Sequence, residues 1–124
     1  MEIYNGEGQN DNFLIPMIEK QIESGRVIKL KDSRPKRDFI HVDDVVSAYC
    51  KAIEYNKTNF EIFNLGSGQS LSVREVAEIL VKKSGKEISI EFSEEHRKNE
   101  VLDTIADVDK AKEILNWQPN NYLR

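Results

Sequence analysis

The sequence holds one cysteine and no long apolar run, and each scarcity closes off a class of protein. Cys50 has no second cysteine to pair with, so no internal disulfide forms, and a reducing cytoplasm is the expected setting. The longest apolar stretch, Phe13 to Ile18, is six residues long and includes Pro16. A membrane-crossing helix needs about 20, so no membrane partner is expected. Met1 is followed by Glu2 and Ile3 rather than by a basic stretch and an apolar core, which argues against a secretory leader. Positive charge is also short: the net charge is −4, which excludes nucleic acid as an expected partner.

Several reactive arrangements are missing too. A dinucleotide loop needs three glycines spaced to bring backbone amides against a pyrophosphate. Gly66-Ser67-Gly68 starts such a pattern, but Leu71 stands where the third glycine belongs, so the segment reads as a turn. A tyrosine acts as a base near neutral pH when a lysine four residues on lowers its pKa. Tyr4, Tyr49 and Tyr55 are followed at that distance by Gly8, Ile53 and Asn59, and Tyr122 is too near the end. His41 and His96 lack flanking ligands at metal spacing, and His41 reads as a hydrogen-bonded structural residue. Cys50 reads as a small buried hydrophobe, not a nucleophile. Neither catalytic nor metal-ligating residues are expected.

What is present is an alternation of helical and strand patterns, giving an α/β (mixed α+β) fold in one domain, 1–124. Residues 1–11 read as an irregular opening loop. Leu14, Ile15, Ile18 and Ile22 make a helical stripe that stops at Gly25. Val27 to Leu30 and Asp38 to Val42 read as strands separated by a turn at 31–36. Asp43 or Asp44 is expected to cap a helix carrying Val45, Val46, Tyr49, Ala52 and Ile53. A third strand is predicted over Phe60 to Leu65. Ser72-Val73-Arg74-Glu75 is a capping box opening a helix that Gly85 ends. Ile88, Ile90 and Phe92 alternate as a strand, a polar loop covers 93–99, and Asp107 is expected to cap a short final helix.

Lys29, Lys31, Arg34, Lys36 and Arg37 place five cations in nine residues. A solvated face accounts for most such runs. Arg37 differs because a strand and a helix start follow it directly. Arg97 sits in the polar loop before the last helix. Either guanidinium can grip phosphate oxygens through two parallel hydrogen bonds.

The segment Arg37-Asp38-Phe39-Ile40-His41-Val42-Asp43-Asp44 resembles one shared by UDP-glucose 4-epimerases, dTDP-glucose dehydratases and their relatives, the extended short-chain dehydrogenase/reductases. Gly6-Glu7-Gly8-Gln9, Asn64-Leu65-Gly66-Ser67-Gly68 with Ser72-Val73-Arg74-Glu75, Arg97-Lys98-Asn99-Glu100-Val101 with Thr104-Ile105-Ala106-Asp107, and Leu115-Asn116-Trp117-Gln118-Pro119 resemble further motifs of that family, in the same order. Two departures stand near the start: Ile3-Tyr4-Asn5-Gly6 replaces the common Asn-Val-Tyr-Gly, and Phe13 stands where some relatives have asparagine.

The resemblance implies the smaller C-terminal, sugar-nucleotide-binding part of such an enzyme, with NAD or NADP held by a Rossmann domain that this sequence does not resemble. The chain therefore reads as cut at both ends, with no cofactor of its own. By the resemblance, Arg37 and Arg97 bind the diphosphate and nucleoside side of the ligand. Glu100 contacts the ribose, Leu14 borders the base, and the strand with Lys29 and Leu30 runs beneath it. The implied ligand is a nucleotide-diphosphate sugar, and the implied parent reaction is an isomerase or lyase step in carbohydrate metabolism. A Rossmann-domain partner or a homo-oligomer is expected to cover apolar surface. The alternative is a non-catalytic remnant used for protein association.

Overall fold

Short-range rules account for most of the elements, and long-range pairing supplies the others. The computed structural model describes residues 1–55 and 60–123. In chain order the elements are β1 (Glu2–Tyr4), α1 (Leu14–Ser24), β2 (Val27–Leu30), β3 (Lys36–Arg37), β4 (Phe39–His41), α2 (Val42–Ile53), β5 (Leu71–Ser72), α3 (Val73–Ser84), β6 (Ser89–Phe92) and α4 (Asp109–Leu115). They fall into two compact units. The first gathers Met1–Gly6, Arg37–Ser70 and Thr104–Leu123; the second gathers Glu7–Lys36 and Leu71–Asp103.

In the first unit β1 pairs in parallel with β4, setting Glu2 against Phe39, Ile3 against Ile40 and Tyr4 against His41. Part of the expected opening loop is thus a strand. Its ladder depends on a partner more than thirty residues away, which local pattern does not reveal. The core here joins Ile40, Val45, Ala48, Val108, Ala111, Leu115 and Trp117. Trp117 is only 1% exposed, and its indole Nε1–H donates to the Asp44 carbonyl (3.0 Å) and the Ser47 hydroxyl (2.9 Å). Burying the ring is therefore compatible with satisfying its one polar atom.

Asp43 and Asp44 do not cap α2. The cap is His41, whose Nδ1 accepts from the Asp43 amide at 3.1 Å. Asp44 turns inward instead and accepts from the Asn120 and Asn121 amides and the Asn121 side chain at 2.9–3.0 Å. The predicted strand over 60–65 does not form; no ladder covers it. Phe60 and Ile62 are exposed, and the segment is tied down by Lys110 of α4. That ammonium pairs with Glu61, donates to the Ile62 carbonyl at 2.7 Å and lies 5.0 Å from the Phe63 ring centroid.

In the second unit β2 and β6 pair in parallel, from Val27 against Ser89 to Leu30 against Phe92. α1 packs on β2 and on α3, burying Ile15, Ile18 and Ile22 as the stripe predicts. Gln21 of α1 does more than cover β2: its amide accepts from the Lys29 N–H at 2.7 Å and donates to the Lys29 carbonyl at 3.3 Å. α3 begins as read, with the Ser72 hydroxyl accepting from the Glu75 amide at 3.1 Å. It ends at Gly85 with φ +69°, a conformation that costs glycine nothing. The cap of α4 is Val108, one residue after the expected Asp107, which still accepts from the Asp109 amide at 3.1 Å.

Candidate ligand-binding site

Arg37 is the last residue of β3 and is half-buried. The next residue, Asp38, is completely buried. Its Oδ1 accepts from the Ser67 amide and hydroxyl, both at 2.6 Å, and its Oδ2 accepts from the Gly68 amide at 3.0 Å and the Ala106 amide at 3.2 Å. A carboxylate held by several amides is what phosphate-binding loops achieve for a ligand anion. Here the chain supplies its own anion. The Ser67 and Gly68 amides of the turn are therefore engaged by Asp38. Gly66 is required by close approach: an added Cβ would lie 2.6 Å from both Asp38 Oδ2 and the Ala106 Cβ. Sequence reasoning missed Asp38 and Asp44 as structural anchors, since a buried aspartate has no signature apart from the donors that fold around it.

Of the six ligand-contacting residues expected from sequence, Arg37 lies in the first unit and the other five in the second. Leu14 opens α1 and is half-buried, Lys29 is exposed on β2, and Leu30 is buried. Arg97 is exposed in the loop after β6, and Glu100, at its end, is half-buried. That loop is fastened at its start, where Ser93 N–H donates to the Leu30 carbonyl at 3.0 Å and the Ser33 hydroxyl donates to Glu94 at 2.8 Å.

Sequence reasoning gave Arg34 no role beyond membership of the cation run. Its guanidinium meets both Asp32 oxygens, at 3.1 and 3.2 Å. Those hydrogen bonds, with the charges of Asp32, Glu94 and Glu100, raise Arg34 above its ordinary pKa. The same pairing holds the Asp32 carboxyl below its usual range. Hydrogen bonds from His96 and Ser33 do so for Glu94. Asp32, Glu94 and His96 bring possible ligand atoms within 4.8 Å of one another. The cation already present there is Arg34.

Tyr4, Asn5 and His41 meet at the carboxyl ends of β1 and β4. The Tyr4 and His41 rings stand edge to face at 5.2 Å, and His41 Nε2 pairs with the Asn5 side-chain amide at 2.9 Å. His41 is the hydrogen-bonded structural histidine that sequence suggested. Burial, then the Asp44 charge, pushes the Tyr4 phenol above its ordinary pKa, opposite to the shift a tyrosine base needs. Cys50 corrects an expectation: it is exposed, because Val45 and Ala48 turn the other side of α2 to the core.

Strands β1 and β4, the anchored glycine turn and an arginine-bearing loop after β6 define the C-terminal, mixed α/β part of an extended short-chain dehydrogenase/reductase. The chain belongs to the NAD-dependent epimerase/dehydratase family: the family model described as GDP-mannose 4,6 dehydratase matches residues 3–124. The UDP-glucose 4-epimerase of Bacillus subtilis (strain 168) is 34% identical over 131 residues, covering 95% of this chain and 38% of that protein. The structure of RMD from Pseudomonas aeruginosa complexed with NADPH matches with a TM-score of 0.86 and 25% identity, covering 98% of this chain and 42% of that one. UDP-glucuronic acid 4-epimerase from Bacillus cereus, in complex with UDP-glucuronic acid and NAD, matches with a TM-score of 0.82 and 27% identity, covering 98% and 39%. The chain thus spans about two fifths of the length of the relatives it matches. No helix among the described residues is long and apolar enough to cross a membrane.

Proposed function

We propose that residues 1–124 act as the sugar-nucleotide-binding part of an NAD-dependent epimerase or dehydratase, holding a nucleotide-diphosphate sugar and performing no chemistry alone. The observation that carries this reading is the match, over 98% of the chain, to an epimerase solved with UDP-glucuronic acid and NAD. Arg37 and Arg97 grip the diphosphate and nucleoside side, Glu100 takes the ribose, Leu14 borders the base, and the strand with Lys29 and Leu30 runs beneath it. Two guanidiniums suit a diphosphate, since each offers two aligned donors. NAD or NADP belongs to a Rossmann domain acting with this chain. The engagement of the Gly66–Gly68 turn with Asp38 supports that division of labour, and the lone Cys50 suits a reducing cytoplasm.

Calorimetric titration with UDP-glucose and dTDP-glucose tests the reading, with NADH as the control. Saturable heat with a sugar nucleotide and none with NADH is expected. Saturable NADH binding, or no heat with either sugar nucleotide, would overturn it.

A further inference from the structure

We propose that Asp38 is the positioning residue of the diphosphate grip, acting through Arg37. The proposal rests on the reading that Arg37 contacts the ligand phosphates. An arginine reaches a phosphate only from a Cα in the right place, and ordering main chain at the moment of binding costs affinity. That cost shrinks when the main chain beneath it is already fixed. Asp38 fixes it. Its carboxylate gathers the Ser67 amide and hydroxyl, the Gly68 amide and the Ala106 amide, and its carbonyl accepts from the Glu2 amide at 2.7 Å. Five bonds from three separate stretches of chain therefore converge on the residue bonded directly to Arg37.

The donor set is neutral and complete: three amides and one hydroxyl, without water access to a side chain at 0% exposure. Such a carboxylate leaves no spare lone pair aimed at a ligand, so Asp38 does not contact substrate itself. Gly66 shows how closely the turn is drawn in, since its missing Cβ is what lets the carboxylate reach Ser67 and Gly68. The anchor is also one-sided in sequence. It secures the peptide just after Arg37, three methylenes from the guanidinium.

A double-mutant cycle on the full chain, read by UDP-glucose titration, separates this role from general stabilisation. Arg37→Ala and Asp38→Ala should each weaken binding roughly ten- to hundred-fold. Adding Asp38→Ala to Arg37→Ala should then cost no further affinity, because the residue it positions is already gone. Additive losses would assign Asp38 a structural role only and overturn the proposal, as would wild-type affinity in Asp38→Ala. Ser67→Ala removes one of the four donors and leaves three, so it serves if Asp38→Ala fails to fold. Its smaller loss should likewise vanish in the Arg37→Ala background, and a loss that persists there overturns the proposal. If the wild-type chain does not bind UDP-glucose, the functional reading itself falls; if it binds and the cycle is additive, only the role of Asp38 does.

Discussion

Single residues in this chain are constrained by distances of a few tenths of an ångström. Gly66 faces Asp38 Oδ2 and the Ala106 Cβ with no room for a methyl group, whereas Gly6 has nothing within 4 Å of where a Cβ would sit. Gly66→Ala should destabilise the protein by about 1–3 kcal/mol, the usual cost of overpacking, and Gly6→Ala by far less. Urea unfolding of the two variants measures the contrast, and equal midpoints would contradict it. The acidic residues of the second unit set a pH dependence. Asp32 and Glu94 are held below the ordinary carboxylate range when folded. Their contribution is therefore complete above an unfolded pKa of about 4 and is lost as the pH falls through the lower folded values. The melting temperature should decline below about pH 4. In Asp32→Asn/Glu94→Gln that decline should be shallower, and an unchanged acid slope would exclude these two carboxyls as its cause. The effect should be modest, since Glu94 and His96 face solvent, where ion pairs contribute little.

At the scale of elements, local chemistry governs where local chemistry is sufficient. Ser72→Ala removes the hydroxyl that accepts the Glu75 amide of α3, and should cost about 1 kcal/mol in denaturant unfolding. A loss near zero would mean solvent replaces the cap. The same sufficiency made α1, β2 and α3 legible: an apolar stripe, a short β-branched run, a capping serine and a terminal glycine each act within a turn or two. Elements that depend on distant partners were not legible. β1 is a strand only because β4 lies alongside it, and the apolar residues of 60–65 have strand propensity but no ladder. His41 supplanted two aspartates as the cap of α2 because Asp44 is recruited by the backbone at 120 and 121. The candidate site was partly legible for the same reason: charged loop residues stand out by type, but the role of Asp38 depends on donors 29 to 68 positions away.

Across the whole molecule, the one tryptophan makes an unusually local reporter. Trp117 is the sole tryptophan of the chain and lies buried in the first unit with its Nε1–H doubly accepted. Native fluorescence should resist acrylamide quenching and shift to the red when the first unit unfolds. Quenching as efficient as that of free tryptophan would contradict the packing around Ile40, Val45 and Leu115. The second unit contains no tryptophan, so its unfolding must be followed by far-ultraviolet circular dichroism. There, Gln21 has a consequence for handling the protein. A two-stranded sheet offers an open flank on each side, and an open flank is a template onto which another chain can add. By matching both peptide groups of Lys29, the glutamine amide acts as a one-residue counterfeit strand. It closes the middle of that flank to recruitment, and the charged Lys29 beside it discourages any approach. Solubility during refolding at high concentration would then depend on a side chain outside the proposed ligand contacts.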